Sequence, residues 1–443
     1  MYVVKELIAL SAPMTINRSG GQIATIMLIA LLGMTSTQEL AIFSLALAMM
    51  SVLLGIASTM PAGVQNYASA YCSASNESAL NRLLSTGFLL ATLVSAGLYL
   101  LALFMGELFF VFESDAYLSQ RAYQLFMLFI TTIVMVSFLS VFTFFLESVG
   151  HARFSANVKI FEVITQLAVS FCVITKLIKT SFSASEGVVL SFIISDVIAL
   201  ILFSIFFYVK IRSGDLKFRF ARPSRKLLVE LLSFGVPISM GFSMQKLGYA
   251  LISFIVETVS PAFLAAYTIA LNIIFFAQTP IVGIAHANSV LVSKAVGRSD
   301  FAAIGYYYRR TVVLSLSMVV VGSVLIGMGA DYLFLFFTTD RQVLGYLSSG
   351  LWGFGLLMIG SGLTTIIISH LRALKDAWYS QLFMLGALYL ALIPCLYLIH
   401  EVITPNINIF LTCMGLVLIA SFVLLDRRSR AVLVNRDLNY SII

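Results

Sequence analysis

The chain has 443 residues, of which 60% are hydrophobic and only 11% charged, with a formal net charge of +7. A soluble domain carries roughly 45–50% apolar and 25% charged residues, so this composition excludes an ordinary soluble enzyme or binding module and places the chain in a membrane. Its Lys and Arg fall in short loops between apolar runs rather than on one face of a folded domain, which argues against nucleic acid as a partner.

A spanning helix needs about 20 mostly apolar residues, because hydrocarbon offers no hydrogen-bond partner to bare backbone. Twelve stretches meet that need, near 8–33, 40–70, 83–110, 121–147, 156–178, 186–210, 231–256, 263–293, 307–330, 345–371, 378–399 and 406–425. The first carries Asn17, Arg18 and Gln22; Arg18 and Gln22 are four residues apart and share a helix face. Pro61 and Gly63 interrupt the second stretch, Pro280 and Gly283 the eighth, and Pro394 the eleventh. An interior proline removes a backbone donor and kinks the helix, as a bending point or simply as packing. The fifth stretch places Glu162, Gln166 and Ser170 on one polar stripe, and the sixth carries Asp196. Gln245 and Lys246 lie in the seventh, and Asn272, Gln278, His286 and Asn288 in the eighth. Cys72, Cys172, Cys395 and Cys413 have no CxxC spacing and read as small packing residues, and no metal site is expected.

The segment from Pro13 to Val64 is written again from Pro237 to Asn288: Leu40-Ala41-Ile42-Phe43 returns as Leu264-Ala265-Ala266-Tyr267, and Ala46-Leu47 as Ala270-Leu271. The expected fold is therefore all-α and integral to the membrane, with twelve helices in two pseudo-symmetric six-helix bundles. The domains are residues 1–210, a basic cytoplasmic linker 211–230 with Gly214 and Pro223, and residues 231–443 with a short tail. An even number of helices per copy makes these parallel repeats. Basic residues set the orientation. Lys5, Arg82, Arg153, Lys159, the cluster from Lys210 to Lys226, Lys294, Arg309, Arg372 and Arg427 mark one side, and only Arg121, Lys176, Lys179 and Arg341, alongside Glu39, Glu113, Asp115, Asp331, Asp340 and Glu401, fall on the other. Both termini are then cytoplasmic. No GxxxxGK[ST], HExxH or GxSxG pattern occurs, so no enzyme chemistry is indicated.

The two repeats, the run Tyr267-Thr268-Ile269-Ala270-Leu271-Asn272, and the paired segments Leu146-Glu147-Ser148-Val149-Gly150-His151-Ala152-Arg153 and Leu371-Arg372-Ala373-Leu374-Lys375-Asp376 resemble the multidrug and toxic compound extrusion (MATE) family of antiporters. The resemblance implies two bundles around a central cleft that opens alternately to each side of a cytoplasmic membrane. It implies export of a small amphipathic solute by a monomer in contact with membrane lipids, with H⁺ favoured over Na⁺ as the transported ion and no resident cofactor. The alternatives are a lipid-linked oligosaccharide flippase of the same superfamily and an uncoupled homologue. Departures from the family pattern are informative. Gln245 and Ser361 stand near positions where one branch has coupling acids, and no acid lies between Ile23 and Leu31.

An ionisable group at mid-membrane costs roughly 2.5–3.5 kcal/mol, so each is a functional candidate. Arg18, Gln22, Gln245, Lys246, Asn272 and Gln278 are the expected solute contacts, with Arg18 and Lys246 giving the cleft a positive character. Alternatively, Arg18 is neutralised by Glu162 or Asp196 within its own bundle, and Lys246 snorkels to a helix end. Glu162, Gln166 and Asp196 are the expected coupling residues, Glu162 or Asp196 being the protonatable group or else a static partner of Arg18. His286 reads as packing or as a pH sensor, and Glu147, in a place where the family has Arg, as a surface charge at a helix end.

Overall fold

The computed structural model of the chain describes residues 2–33, 36–105, 116–177, 182–212, 221–338, 340–402 and 406–440. Gly214, Lys217 and Arg219 of the linker, with Glu113, Asp115 and Lys179, lie outside the described residues. Every described element is helical. In chain order they are α1 (Tyr2–Gly33), α2 (Thr37–Thr59), α3 (Ala62–Ser73), α4 (Glu77–Met105), α5 (Ala116–Phe129), α6 (Thr131–Ser148), α7 (Ala152–Ile174), α8 (Ala184–Arg212), α9 (Arg225–Glu257), α10 (Pro261–Ala277), α11 (Thr279–Gly297), α12 (Phe301–Met328), α13 (Ala330–Phe337), α14 (Arg341–Ser349), α15 (Leu351–Ala373), α16 (Ala377–Gly386), α17 (Ile393–Val402) and α18 (Ile407–Tyr440).

The expected spans reappear with sharper ends, and local chemistry explains several of those ends. Ser36 caps α2 by accepting from Glu39 N at 3.3 Å, Ser260 caps α10 through Phe263 N at 3.1 Å, and Asp340 caps α14 through Gln342 N at 2.8 Å. Among the described residues, ten helical spans are long and apolar enough to cross a membrane, and α10 with α11, bent by 43° at Gln278, makes an eleventh. The twelfth expected span is α1, whose apolar run is broken by the polar stretch from Asn17 to Gln22. Pro61 separates α2 from α3, and Pro280 follows the break before α11. Ahead of Pro394 the chain takes a π-helical turn, Ala387–Leu392, between α16 and α17. A π turn is one of the few ways to absorb a register change without abandoning the helix. Leu100, Phe104, Val313, Leu325 and Leu390 are exposed, as lipid-facing side chains would be.

Packing divides the chain into two compact units, residues 16–239 and residues 1–15 with 240–443. Both divisions fall two residues after a proline inside a helix, Pro13 in α1 and Pro237 in α9, and both are related by the sequence repeat. In the unit 16–239 one core gathers Phe43, Phe126, Phe129 and Ile133, and a second gathers Phe144, Phe145, Phe203 and Phe207. The other unit is built on Ile252, Phe263, Tyr267, Phe354 and Phe410, with Leu7 and Met14 packed on Ala287 and Val290. There α17 and α18 meet at Cys395 and Cys413, free thiols with sulfurs 3.3 Å apart.

Helices in lipid gain no hydrophobic drive from meeting each other and associate through close packing of small residues. The α15–α18 pair shows this. A Cβ on Gly415 would stand 2.7 Å from the backbone carbon of Leu356, and one on Gly360 would stand 2.6 Å from the Gly415 carbonyl. Alanine at a helical glycine gains about 1 kcal/mol of helix propensity, but overpacking against backbone costs about 1–3 kcal/mol. Gly415→Ala should therefore lower the melting temperature, whereas Gly327→Ala, with open space around its Cβ, should hold or raise it. Thermal denaturation followed by size exclusion checks both signs.

Candidate functional site

The site grows from the polar run that follows Pro13. Asn17 and Arg18 project from α1 toward the end of α6, where Glu147 is completely buried. Arg18 Nη2 lies 3.0 Å from Glu147 Oε2, Asn17 Nδ2 donates to Glu147 Oε1 at 2.8 Å, and Gln65 Nε2 of α3 donates to Glu147 Oε2 at 2.9 Å. Ser148 Oγ in turn donates to the Gln65 carbonyl at 2.7 Å, and the Arg18 guanidinium lies 4.6 Å from the centre of the Phe144 ring. Two sequence expectations are corrected here. Glu147 is not a surface charge, because α1 and α3 close over the end of α6. Arg18 is ion-paired, but with Glu147 rather than with Glu162 or Asp196.

Beside this cluster lies a cavity of about 150 Å³, lined by Asn17 and Arg18 of α1, Ser140 and Thr143 of α6, Lys159 and Glu162 of α7 and Asp196 of α8, among others. Lys159 Nζ donates to Glu162 Oε1, one helical turn apart. Asp196 is buried and feels both charges. Lys159 had been expected among the loop cations; α7 begins at Ala152, which puts Lys159 two turns inside the helix. Gly20 is what admits it, since a Cβ there would meet Lys159 Cγ at 3.0 Å. The stripe expected on α7 is present: Glu162, Gln166 and Ser170 are all buried. Gln166 Oε1 has no hydrogen-bond partner, and Ser170 Oγ donates to Ser191 Oγ of α8 at 2.7 Å.

The charge balance follows directly. Among the described residues, the ionisable groups of the cavity and its backing cluster are Arg18 and Lys159 against Glu147, Glu162 and Asp196. With all five ionised, one negative charge is left over. A buried charge without a partner is costly, so the cluster favours taking up one further cation.

The remaining expected solute contacts are not part of this cavity. Gln22 is exposed on α1. In the other unit, Gln245 and Lys246 are exposed, with Gln245 Nε2 3.4 Å from Tyr249 Oη and Lys246 Nζ 4.9 Å from the Phe242 ring centre. Asn272 is exposed and its amide donates to the Thr268 carbonyl at 2.9 Å, so it serves its own helix. Gln278 is buried and donates to Ser361 Oγ. A neutral hydrogen-bonded pair thus involves Ser361, where a coupling acid had been looked for. Asn288 accepts from Thr311 Oγ1 at 3.0 Å, and His286 is partly buried on α11.

Sequence reasoning missed Lys159 and Glu147 as members of the site. The spacing of Lys159 and Glu162, three residues apart on a helix, was a usable signal. The pairing of Glu147 with Arg18 spans 129 residues and had no local signal.

Comparison with known proteins agrees with the repeat. A family model described as MatE matches residues 13–172 and again 237–398. The chain is similar to a probable multidrug resistance protein NorM of Agrobacterium fabrum, 27% identical over 179 residues, a match that spans 38% of this chain and 38% of that protein. Its fold is similar to that of a MOP superfamily transporter from Pyrococcus furiosus, described as having a binding pocket of reverse polarity. There the TM-score is 0.89 at 14% identity, covering 97% of this chain and 95% of that one. A MATE structure in a bent conformation gives a TM-score of 0.90 at 14% identity over 99% of this chain and 97% of that one.

Proposed function

Because the chain belongs to the MatE family, we propose that it is a proton-coupled antiporter that exports a small amphipathic solute by alternating access. The observation that carries this reading is that the cavity of residues 16–239 and the Arg18–Glu147 pair behind it together hold three carboxyl groups against two cationic side chains, which leaves one negative charge over when all five are ionised. One proton, shared by Glu162 and Asp196, balances the cluster, and releasing it to the other side of the membrane leaves the site ready for another. Na⁺ needs several converging oxygens, and here an ammonium already engages the carboxylate. The protein resides in a cytoplasmic membrane with both termini inside, as the distribution of loop cations favours.

The solute is proposed to meet the exposed polar side chains Gln245 and Lys246 of the unit that holds residues 240–443. Of the two cations once considered for the cleft, Arg18 is neutralised by Glu147, so Lys246 is the one left to attract an anionic or zwitterionic group. The test is efflux of a cationic dye and of a zwitterionic quinolone from proteoliposomes under a pH gradient or a Na⁺ gradient imposed separately. Efflux should follow the pH gradient alone, and Lys246→Ala should shift the preference toward the cationic probe. Efflux indifferent to both gradients would sink the coupled reading and favour a flippase or an uncoupled carrier.

A further inference from the structure

Lys159 stands where a bound cation would. Its ammonium contacts Glu162 on α7 and lies within electrostatic reach of Asp196 on α8. Ser58, Ser140, Thr143 and Ser155 also line this cavity. Carboxylates and neutral oxygens gathered from several helices are the donor set that hard cations take from proteins. Gly20 of α1 makes room for the lysine stem, since a Cβ there would come within 3.0 Å of Lys159 Cγ, tighter than an ordinary contact. Two acids, one ammonium and four hydroxyl-bearing residues thus line one cavity, with Gly20 beside the lysine stem.

We infer that Lys159 is a tethered cation filling a monovalent-cation site, and that it thereby sets the ion specificity of the cavity. With the ammonium in place, the carboxylates are one positive charge short, and only a proton fits without displacing Lys159. Without it, they are two charges short, and the vacated oxygens and volume suit Na⁺. The claim that protons alone serve the native protein rests on the reading proposed above, but the existence of the site does not. A purely structural lysine, present to make Glu162 and Asp196 tolerable in the bilayer, predicts something different: its removal would destabilise the protein equally in every salt.

The experiment is thermal denaturation of the full chain in nanodiscs, titrated with NaCl against choline chloride at matched ionic strength. It uses wild type, Lys159→Met, Lys159→Arg and the double variant Lys159→Met with Glu162→Gln. Wild type and Lys159→Arg should show no difference between the two salts. Lys159→Met should gain a saturable Na⁺-specific rise in melting temperature of roughly 2 °C or more, which the added Glu162→Gln removes. If Lys159→Met is unfolded in choline, recovery of a monodisperse protein when Na⁺ is present during extraction supports the same conclusion. A Lys159→Met protein that responds identically to both salts, folded or not, overturns the inference, and so does saturable Na⁺-specific stabilisation of wild type. Neither readout uses transport, so a failure of proton coupling in vesicles and a failure of the cation site are separable. A sodium-responsive Lys159→Met variant beside a wild type indifferent to pH gradients would keep the site and discard the coupling.

Discussion

Arg18→Ala should lower the stability of the protein by about 3–5 kcal/mol, the usual consequence of stripping the partner from a buried charge. Glu147 is fully buried and accepts hydrogen bonds from Arg18, Asn17 and Gln65, so its ionised form depends on all three. The Arg18 ion pair carries the largest share, because only it brings a full opposite charge. Asn17→Ala and Gln65→Ala remove neutral donors and should cost less, about 1–3 kcal/mol each. The geometry also predicts a rescue. A buried pair replaced by apolar groups of similar volume is often neutral or stabilising, so Arg18→Met combined with Glu147→Leu should recover most of the loss. A thermal double-mutant cycle measures this as a strongly non-additive pair. An Arg18→Ala protein melting with wild type would show that Glu147 does not depend on its guanidinium.

The parts of this molecule that were legible in its sequence are those written in runs and repeats. Twelve apolar stretches gave the helices, and a second copy of the segment from Pro13 to Val64 gave the two-bundle organisation, because both depend on near neighbours or on a fixed offset. The α7 stripe was legible for the same reason: residues four apart share a face whatever surrounds them, and Glu162, Gln166 and Ser170 are all buried. Charge pairing was not legible. Glu147 looked like a helix-end charge because its partners Asn17, Arg18 and Gln65 come from other helices, and one-dimensional spacing cannot say which helix covers which end. Lys159 was counted with the loop cations because it stands only three residues inside the expected stretch 156–178, yet the helix itself begins earlier, at Ala152. Gly20 carried a signal of close approach that only the lysine stem beside it makes specific.

Glu162→Gln and Asp196→Asn should each reduce efflux driven by a pH gradient at least tenfold, a coupling loss of roughly 1.4 kcal/mol or more, while leaving the protein as heat-stable as wild type. The two halves of that expectation come from the same charge balance. In the native cluster, Glu147 is matched by Arg18, and Lys159 faces two acids, which leaves one negative charge for a proton to cancel. Converting either acid to its amide removes the excess: Lys159 and the remaining carboxylate then balance, and no proton is needed to make the buried site neutral. The amide therefore relieves an electrostatic burden and removes the reason to carry a proton across. A static role for these acids predicts the reverse pairing, in which transport falls only as far as the melting temperature falls with it. Gradient-free exchange of labelled solute separates the cases further. An uncoupled but intact carrier keeps exchanging in Glu162→Gln, whereas a damaged bundle exchanges slowly in every assay. The two substitutions need not be equal. Glu162 is the acid in direct contact with Lys159, so Glu162→Gln also frees the ammonium to turn toward Asp196, and its loss of proton-driven efflux should be the larger of the two.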